Sequence, residues 1–153
     1  MSDIPPTIPI AHDEWHAKHI GRLPDGRQFF LTTSLESTPD EGTRDFVVLY
    51  TFDADGKLLD AQIDDLGVRG DGGPPPLNKD DGGEVYRRRL ESLDGAEFGD
   101  IRVAPFRIER FGIEFGPIPR EPDEDPEDYE PAVELMPGNT MAFFEPWDGE
   151  YDT

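Results

Sequence analysis

The stretch Phe46-Val-Val-Leu-Tyr-Thr-Phe52, followed by Asp53-Ala-Asp-Gly56 and Lys57-Leu-Leu-Asp-Ala-Gln-Ile63, decides the fold. In the first arm Phe46, Val48, Tyr50 and Phe52 alternate with Val47 and Leu49, so both faces are apolar. A strand of that kind belongs inside a sheet that is covered above and below. The second arm puts Leu59, Ala61 and Ile63 on one side and Leu58, Asp60 and Gln62 on the other. That alternation predicts a half-buried strand. Between the arms, Asp53-Ala-Asp-Gly56 suits a type I turn, with Gly56 free to take a positive φ. The whole reads as a β-hairpin.

A second hairpin precedes it. His19-Ile-Gly-Arg-Leu23 and Arg27-Gln-Phe-Phe-Leu-Thr-Thr-Ser-Leu35 flank Pro24-Asp-Gly26, whose proline and glycine fit the two ends of a turn. Phe29, Leu31, Thr33 and Leu35 are expected to form its inward face. Residues 36–43 read as a solvent loop, so the two hairpins predict a four-strand antiparallel meander. Residues 2–10 are proline-rich and are expected to lie extended along the surface or a sheet edge.

Beyond the meander, residues 64–83 read as a connector. They carry Gly67, Gly70, Gly72, Gly73, three successive prolines at 74–76, and Asp80-Asp-Gly-Gly83. A phosphate cradle needs an uninterrupted strand–loop–helix and is not expected to be lined with aspartates. Residues 84–94 predict a helix with Val85, Tyr86, Leu90 and Leu93 as its apolar stripe and Gly95 ending it. Its Arg87, Arg88 and Arg89 are the only basic cluster, expected to pair with carboxylates or lie over the sheet. Strands are expected at 100–104, 106–109 and 113–115, with Pro105 marking an edge or bulge. A final hairpin is expected from 132–136, a turn at Pro137-Gly-Asn139, and 140–144. Together these predict an α+β fold: an antiparallel β-sheet of hairpins, about six to eight strands, with one amphipathic helix packed on it.

The 153 residues fit a single domain, 1–153, containing an acidic linker at 117–131. Formal charge is −21, from 35 acidic and 14 basic residues. That charge disfavours nucleic acid and anionic membranes and favours a basic protein partner. Cysteine is absent, which excludes disulfides, thiolate metal sites and cysteine nucleophiles. The opening Met-Ser-Asp-Ile-Pro-Pro has neither a basic nor an apolar signal region, and the longest apolar run is far short of a membrane span. A cytoplasmic protein is expected.

All three histidines lie in Ala11-His-Asp-Glu-Trp-His-Ala-Lys-His19. His12-Asp-x-x-His16 differs by one residue from the zinc-protease pattern His-Glu-x-x-His. That pattern needs a long helix, whereas Pro9 precedes and Gly21 follows within a few residues. The expectation for His12, His16 and His19 is surface or partly packed histidines, with no metal and no cofactor. Asp53/Asp55 and Asp64/Asp65 are carboxylate pairs of the type that serve acid–base or divalent-ion chemistry. Asp53-x-Asp55-Gly56 lacks the remaining ligands of a calcium loop, and no Ser-His-Asp order or nucleophile elbow is present. No catalytic residue is expected.

Charge is polarised along the chain. From Glu121 onward there are twelve acidic residues and no basic one, whereas residues 79–120 are nearly balanced. The segment 121–130 includes Asp123, Glu124 and Asp125. The tail sets Trp147 and Tyr151 among Asp148, Glu150 and Asp152, combining aromatic anchors with charge in a way that suits docking to a basic groove. The alternative is a terminus tied down by Trp147, its acids merely solvated.

Four strings are similar to a known group: Ile8-Pro-Ile-Ala-His12, Ile20-Gly-Arg with Asp25-Gly-Arg-Gln-Phe-Phe30, Phe52-Asp-Ala-Asp-Gly56, and Phe144-Glu-Pro-Trp-Asp-Gly-Glu-Tyr-Asp-Thr153. They resemble small acidic bacterial proteins labelled formate hydrogenlyase regulatory protein, across nearly the whole chain. The resemblance implies a non-enzymatic regulator and carries over no catalytic or ligand residue. Three functions are therefore open. The first is a binding or regulatory protein that recognises a basic partner through its acidic C-terminal region. The second is an inhibitor or immunity protein that mimics nucleic acid and blocks a basic nuclease or toxin. The third is a metal-dependent enzyme.

Overall fold

The computed structural model describes residues 5–14, 17–38, 42–68, 80–110, 112–119, 132–137, 141–144 and 147–152. The first half comprises β1 (Ile8–Ile10), β2 (His19–Arg22), β3 (Gln28–Thr38), β4 (Gly42–Phe52), β5 (Leu58–Val68) and helix α1 (Asp80–Glu91). Then follow β6 (Glu97–Phe98), β7 (Ile101–Val103), β8 (Ile108–Arg110), β9 (Ile113–Pro119), β10 (Ala132–Met136), β11 (Ala142–Phe144) and β12 (Tyr151–Asp152). The fold is α+β and mostly β. Its strands divide among three antiparallel sheets rather than one, with orders β5-β4-β3-β2-β6, β12-β11-β10-β9-β8 and β1-β7. The described strands number twelve, above the expected six to eight: the short pieces β1, β6 and β12 are additional, and β1 and β6 form only when distant segments meet.

The expected meander is present, with β2 and β3 paired from His19↔Leu31 to Arg22↔Gln28 and β4 lying between β3 and β5. As the two-faced pattern of β4 requires, its sides enter different layers. Phe46, Val48, Tyr50 and Phe52 join a core completed by Phe115, Val133, Leu135 and Phe143 of the second sheet. Val47 and Leu49 join Phe29 and Leu31 beneath Val85, Tyr86, Leu90 and Leu93 of the helix region. The helix stripe is thus as expected, although α1 begins at Asp80 rather than 84.

Three other expectations are corrected. β3 is apolar on both faces, since Phe30 fills the main core while Phe29 and Leu31 face the helix. The expected loop at 36–43 is mostly strand: pairing runs on to Thr38↔Gly42, and the opposite charges of Glu36 and Arg44 face each other across the strands. In β5 the register shifts between Thr51 and Phe52, which pair with Asp60 and Leu58, so Leu59 is an extra residue. The bulge turns Leu58 to the core and leaves Leu59 55% exposed, reversing the expected phase at the strand's start. Ala61 and Ile63 do face the main core.

The turn between β4 and β5 forms as read. Gly56 N–H donates to Asp53 O at 3.0 Å, and the Asp53 carboxylate accepts from the N–H groups of Asp55 and Lys57 at 2.9 Å each. Gly56 has φ of 95°, and a Cβ there would lie 2.7 Å from the Arg102 carbonyl oxygen. The turn must therefore be glycine for conformation and for the passage of β7. Buried Gln28 fastens that crossing: its amide donates to the carbonyls of Asp53 and Arg102 and accepts from Arg102 N–H at 2.8 Å. Along β1, Ile8↔Val103 and Ile10↔Ile101 pairing makes residues 8–10 extended as expected. Ile8 and Ile10 are, however, fully buried in the main core rather than lying on the surface, and residues 2–4 lie outside the described residues.

In the C-terminal half, β8 and β9 pair antiparallel, with Ile108 opposite Phe115, and β10 pairs with β11 as expected. Residues 117–119 of the expected acidic linker are instead the end of β9, where Pro117 and Ile118 are buried against the β10 register. Residues 120–131 lie outside the described residues. Likewise β5 extends to Val68, five residues into the expected 64–83 connector, and 69–79 are not described.

Candidate functional site

The C-terminal tail becomes a sheet edge. β12 pairs with β11 through Ala142↔Asp152 and Phe143↔Tyr151, closing the order of the second sheet. A two-residue strand has too few ladder bonds to hold by itself, and its side chains supply the rest. Tyr151 packs its ring 6.0 Å from that of Phe143 and donates its hydroxyl hydrogen to the Asp13 carboxylate. The other Asp13 oxygen accepts from Ala17 N–H at 3.0 Å, so one aspartate ties the histidine-bearing loop to the tail. Ala11 N–H donates to Gly149 O at 3.0 Å, and Gly149, at φ of 96°, leaves room for Ala11 where a side chain would not.

Trp147 is half-buried against the main core and holds a positive φ of 59°, a region uncommon outside glycine. Its N–H donates to Phe144 O at 2.8 Å, tightening the bend into β12. Both expected aromatic anchors thus turn inward, against the protein's own core. Asp148 and Glu150 are exposed, and the Asp148 carboxylate accepts from Glu150 N–H at 3.1 Å. Among the described residues neither carboxylate pairs with a cation. Asp152 is placed through its backbone only, and Asp123, Glu124 and Asp125 lie outside the described residues. The structure therefore brings Trp147, Asp148, Glu150 and Tyr151 together at one sheet edge, the two aromatics turned inward and the two acids outward. Asp13 is the partner that sequence reasoning missed: it lies 138 positions from Tyr151, and no local pattern signals such a contact.

The other candidates are engaged in holding the fold. His12 N–H donates to Asp100 at 2.8 Å, and its Nε2 lies 2.9 Å from Lys18 O. His19 Nδ1 sits 2.5 Å from the Tyr86 hydroxyl, and its ring meets Phe98 at 5.4 Å. Burial and the nearby Lys18 and His12 charges lower the His19 pKa, in that order of size. Burial pushes Tyr86 up to about 12. His16 is outside the described residues, and among those described no three His, Asp or Glu side chains are grouped to hold a metal. Asp53 organises its turn, and Asp64 accepts from Arg89 Nε and Nη2 at 2.8 and 2.9 Å. Arg88 reaches Glu84 at 3.4 Å, so the basic cluster is partly neutralised as expected.

A shallow groove of about 350 Å³ opens where the end of β3 meets the second sheet, lined by Glu36, Arg107, Ile113, Glu114, Glu134 and Met136. Arg107 and Glu114 are paired across it at 3.1 Å. No helix of the described residues is long and apolar enough to cross a membrane. No protein-family description, curated protein or solved structure matches the chain.

Proposed function

We propose that this chain is a non-enzymatic, cytoplasmic regulatory protein that recognises a basic protein partner through its acidic C-terminal region. The observation that carries the reading is the exposed pair Asp148 and Glu150 on a tail fixed by β12 pairing and the Tyr151–Asp13 hydrogen bond. A flexible acidic tail pays ordering entropy when it docks; carboxylates already held on a sheet edge pay less of it. From Glu121 onward the sequence carries twelve acids and no base, so the segment that ends in this edge has a single sign of charge. A field of that kind speeds encounter with a basic surface and makes binding sensitive to salt. Trp147 and Tyr151 serve this reading as the inward anchors that fix the edge, rather than as groups handed to the partner.

Affinity capture from the native host at low salt, repeated near about 0.5 M salt, tests it. One basic partner, retained at low salt and lost at high salt, is expected. The purified pair should then weaken by about tenfold when Asp148→Asn and Glu150→Gln are combined, two exposed changes that leave the fold intact. A captured nuclease or toxin whose activity the chain blocks would move the reading to an inhibitor that mimics nucleic acid. Binding indifferent to salt and to both substitutions would sink the electrostatic reading altogether.

A further inference from the structure

Among the described residues, β5 is the longest strand at the end of a sheet. It is 11 residues long and ends the order β5-β4-β3-β2-β6, with no described strand on its far side. The two register shifts, at Thr51/Phe52 and Arg44/Phe46, leave an uninterrupted ladder from Asp60↔Thr51 to Asp65↔Phe46. Over that run, alternate residues turn their N–H and C=O groups away from β4, which makes a template for one more strand. Ala61 and Ile63 pack on the main core yet remain half-buried, the condition of side chains awaiting a neighbour on one side. Leu59, extruded by the bulge, adds exposed apolar surface at the start of the run.

Exposed edges are commonly guarded by lysine or proline. Residues 58–68 contain neither; they carry Asp60, Asp64 and Asp65. These charges choose between occupants. In an antiparallel pairing of two copies centred on Gln62, Asp60 of each copy would stand opposite Asp64 of the other, and each copy carries a formal charge of −21. A second copy is disfavoured on both counts. Arg89 already binds Asp64, and Arg44 lies 3.6 Å from Asp65. Asp60, by contrast, is exposed, feels the Arg89 charge at longer range, and among the described residues forms no ion pair, only a contact with the Gln62 amide at 3.4 Å. Asp60 is therefore the carboxylate offered to an incoming cation.

We propose that the β5 edge, residues 60–65, is a strand-addition site for an extended basic segment of another protein. Backbone bonds to the ladder supply affinity, while lysine or arginine at alternate positions meets Asp60 on the helix side. Apolar residues between them cover Ala61 and Ile63. This surface is separate from the acidic tail and does not require it.

The test uses the full chain, isotope-labelled, and a blocked decapeptide of alternating lysine and valine. A control peptide has the same charge with prolines replacing alternate valines, so it has the electrostatics without the strand. Chemical-shift changes and slowed amide exchange along 60–65 are expected with the first peptide and not with the control. Asp60→Lys, an exposed change, should weaken the first peptide by about fivefold, near the upper limit for one exposed charge pair. Equal binding of both peptides, or changes centred on 148–152 instead, would overturn the proposal. So would sedimentation showing that the chain already pairs with itself through this edge.

Discussion

Towards the second sheet, β4 presents Phe46, Val48, Tyr50 and Phe52, each at most 1% exposed, to partners such as Phe115, Val133 and Phe143 that are equally buried. Towards the helix it presents Val47 and Leu49 to Val85, Tyr86, Leu90 and Leu93, all only half-buried. The same strand thus faces one core closed by strands of all three sheets and another closed by a single helix stripe. A layer whose outer members keep part of their surface in water gains less on docking, so it should open at lower free energy. The sheet-to-sheet core holds the fold; the helix is its more releasable cover.

Truncation on the two faces gives the largest test of that contrast. Phe46→Ala removes a ring that meets Phe115 edge-on at 5.0 Å, and it should cost about 4 kcal/mol of global stability in a urea titration. Leu49→Ala should cost about 3 kcal/mol. The sharper readout is amide exchange. Leu49→Ala should speed exchange in residues 84–91 well before the strands, whereas Phe46→Ala should speed both together. Uniform acceleration in the two variants would show that the faces form one cooperative unit.

A smaller effect separates the charges that close the helix face from those merely on it. Arg89 spans α1 and β5, donating to both Asp64 oxygens and, from Nη1, to Gln62 Oε1 at 2.7 Å. Its side chain and that of Asp64 are about two-thirds to three-quarters shielded, at 32% and 26% exposure. Arg89→Gln keeps part of the stem and should lose about 1 kcal/mol, with the loss shrinking in high salt. Arg88→Gln breaks only an exposed pair with Glu84 at 3.4 Å and should leave the melting temperature unchanged. Equal losses would mean that net charge, not the fork to Asp64, sets the difference.

The legible parts of this molecule were those with a local cause. Phe46–Phe52 announced two covered faces by alternation, and the Asp53–Gly56 turn announced its chain reversal by composition. The Val85, Tyr86, Leu90 and Leu93 stripe announced a helix by period. The Leu58/Leu59 phase was misread because a bulge is a property of two paired strands, and one strand's alternation does not display it. Phe30 was missed for a related reason: Phe29-Phe30 offers either face, and the choice is made by what covers each. At the tail, aromatics among acids read as docking anchors, yet Trp147 and Tyr151 found their partners inside the chain. Only the distant Asp13, Ala11 and core residues decide that direction, and of the tail acids Asp148 and Glu150 stay exposed.

The smallest expected effect concerns the seam where the helix meets β2. His19 is confined there between Tyr86 Oη, 2.5 Å from Nδ1, and the Phe98 ring, with Lys18 and His12 disfavouring a further positive charge and Glu14 favouring it. Desolvation is the largest of these influences, and the folded pKa lies below the ordinary value. Tyr86, raised to about 12, stays neutral throughout and supplies no compensating charge. In the unfolded chain His19 takes its proton near pH ~6.5. Between that value and the lower folded pKa the unfolded state binds more protons, so stability falls as the pH is lowered through this window and levels off beneath it. Urea midpoints should decline accordingly, with α1 exchange rising first because His19 meets the helix through Tyr86. His19→Gln should remove this part of the slope. Asp25, held below the usual carboxylate range chiefly by the Arg27 N–H, acts only at more acidic pH and leaves the window clear. A wild-type slope in that window that persists unchanged in His19→Gln would assign it elsewhere and leave the helix seam without a titrating group.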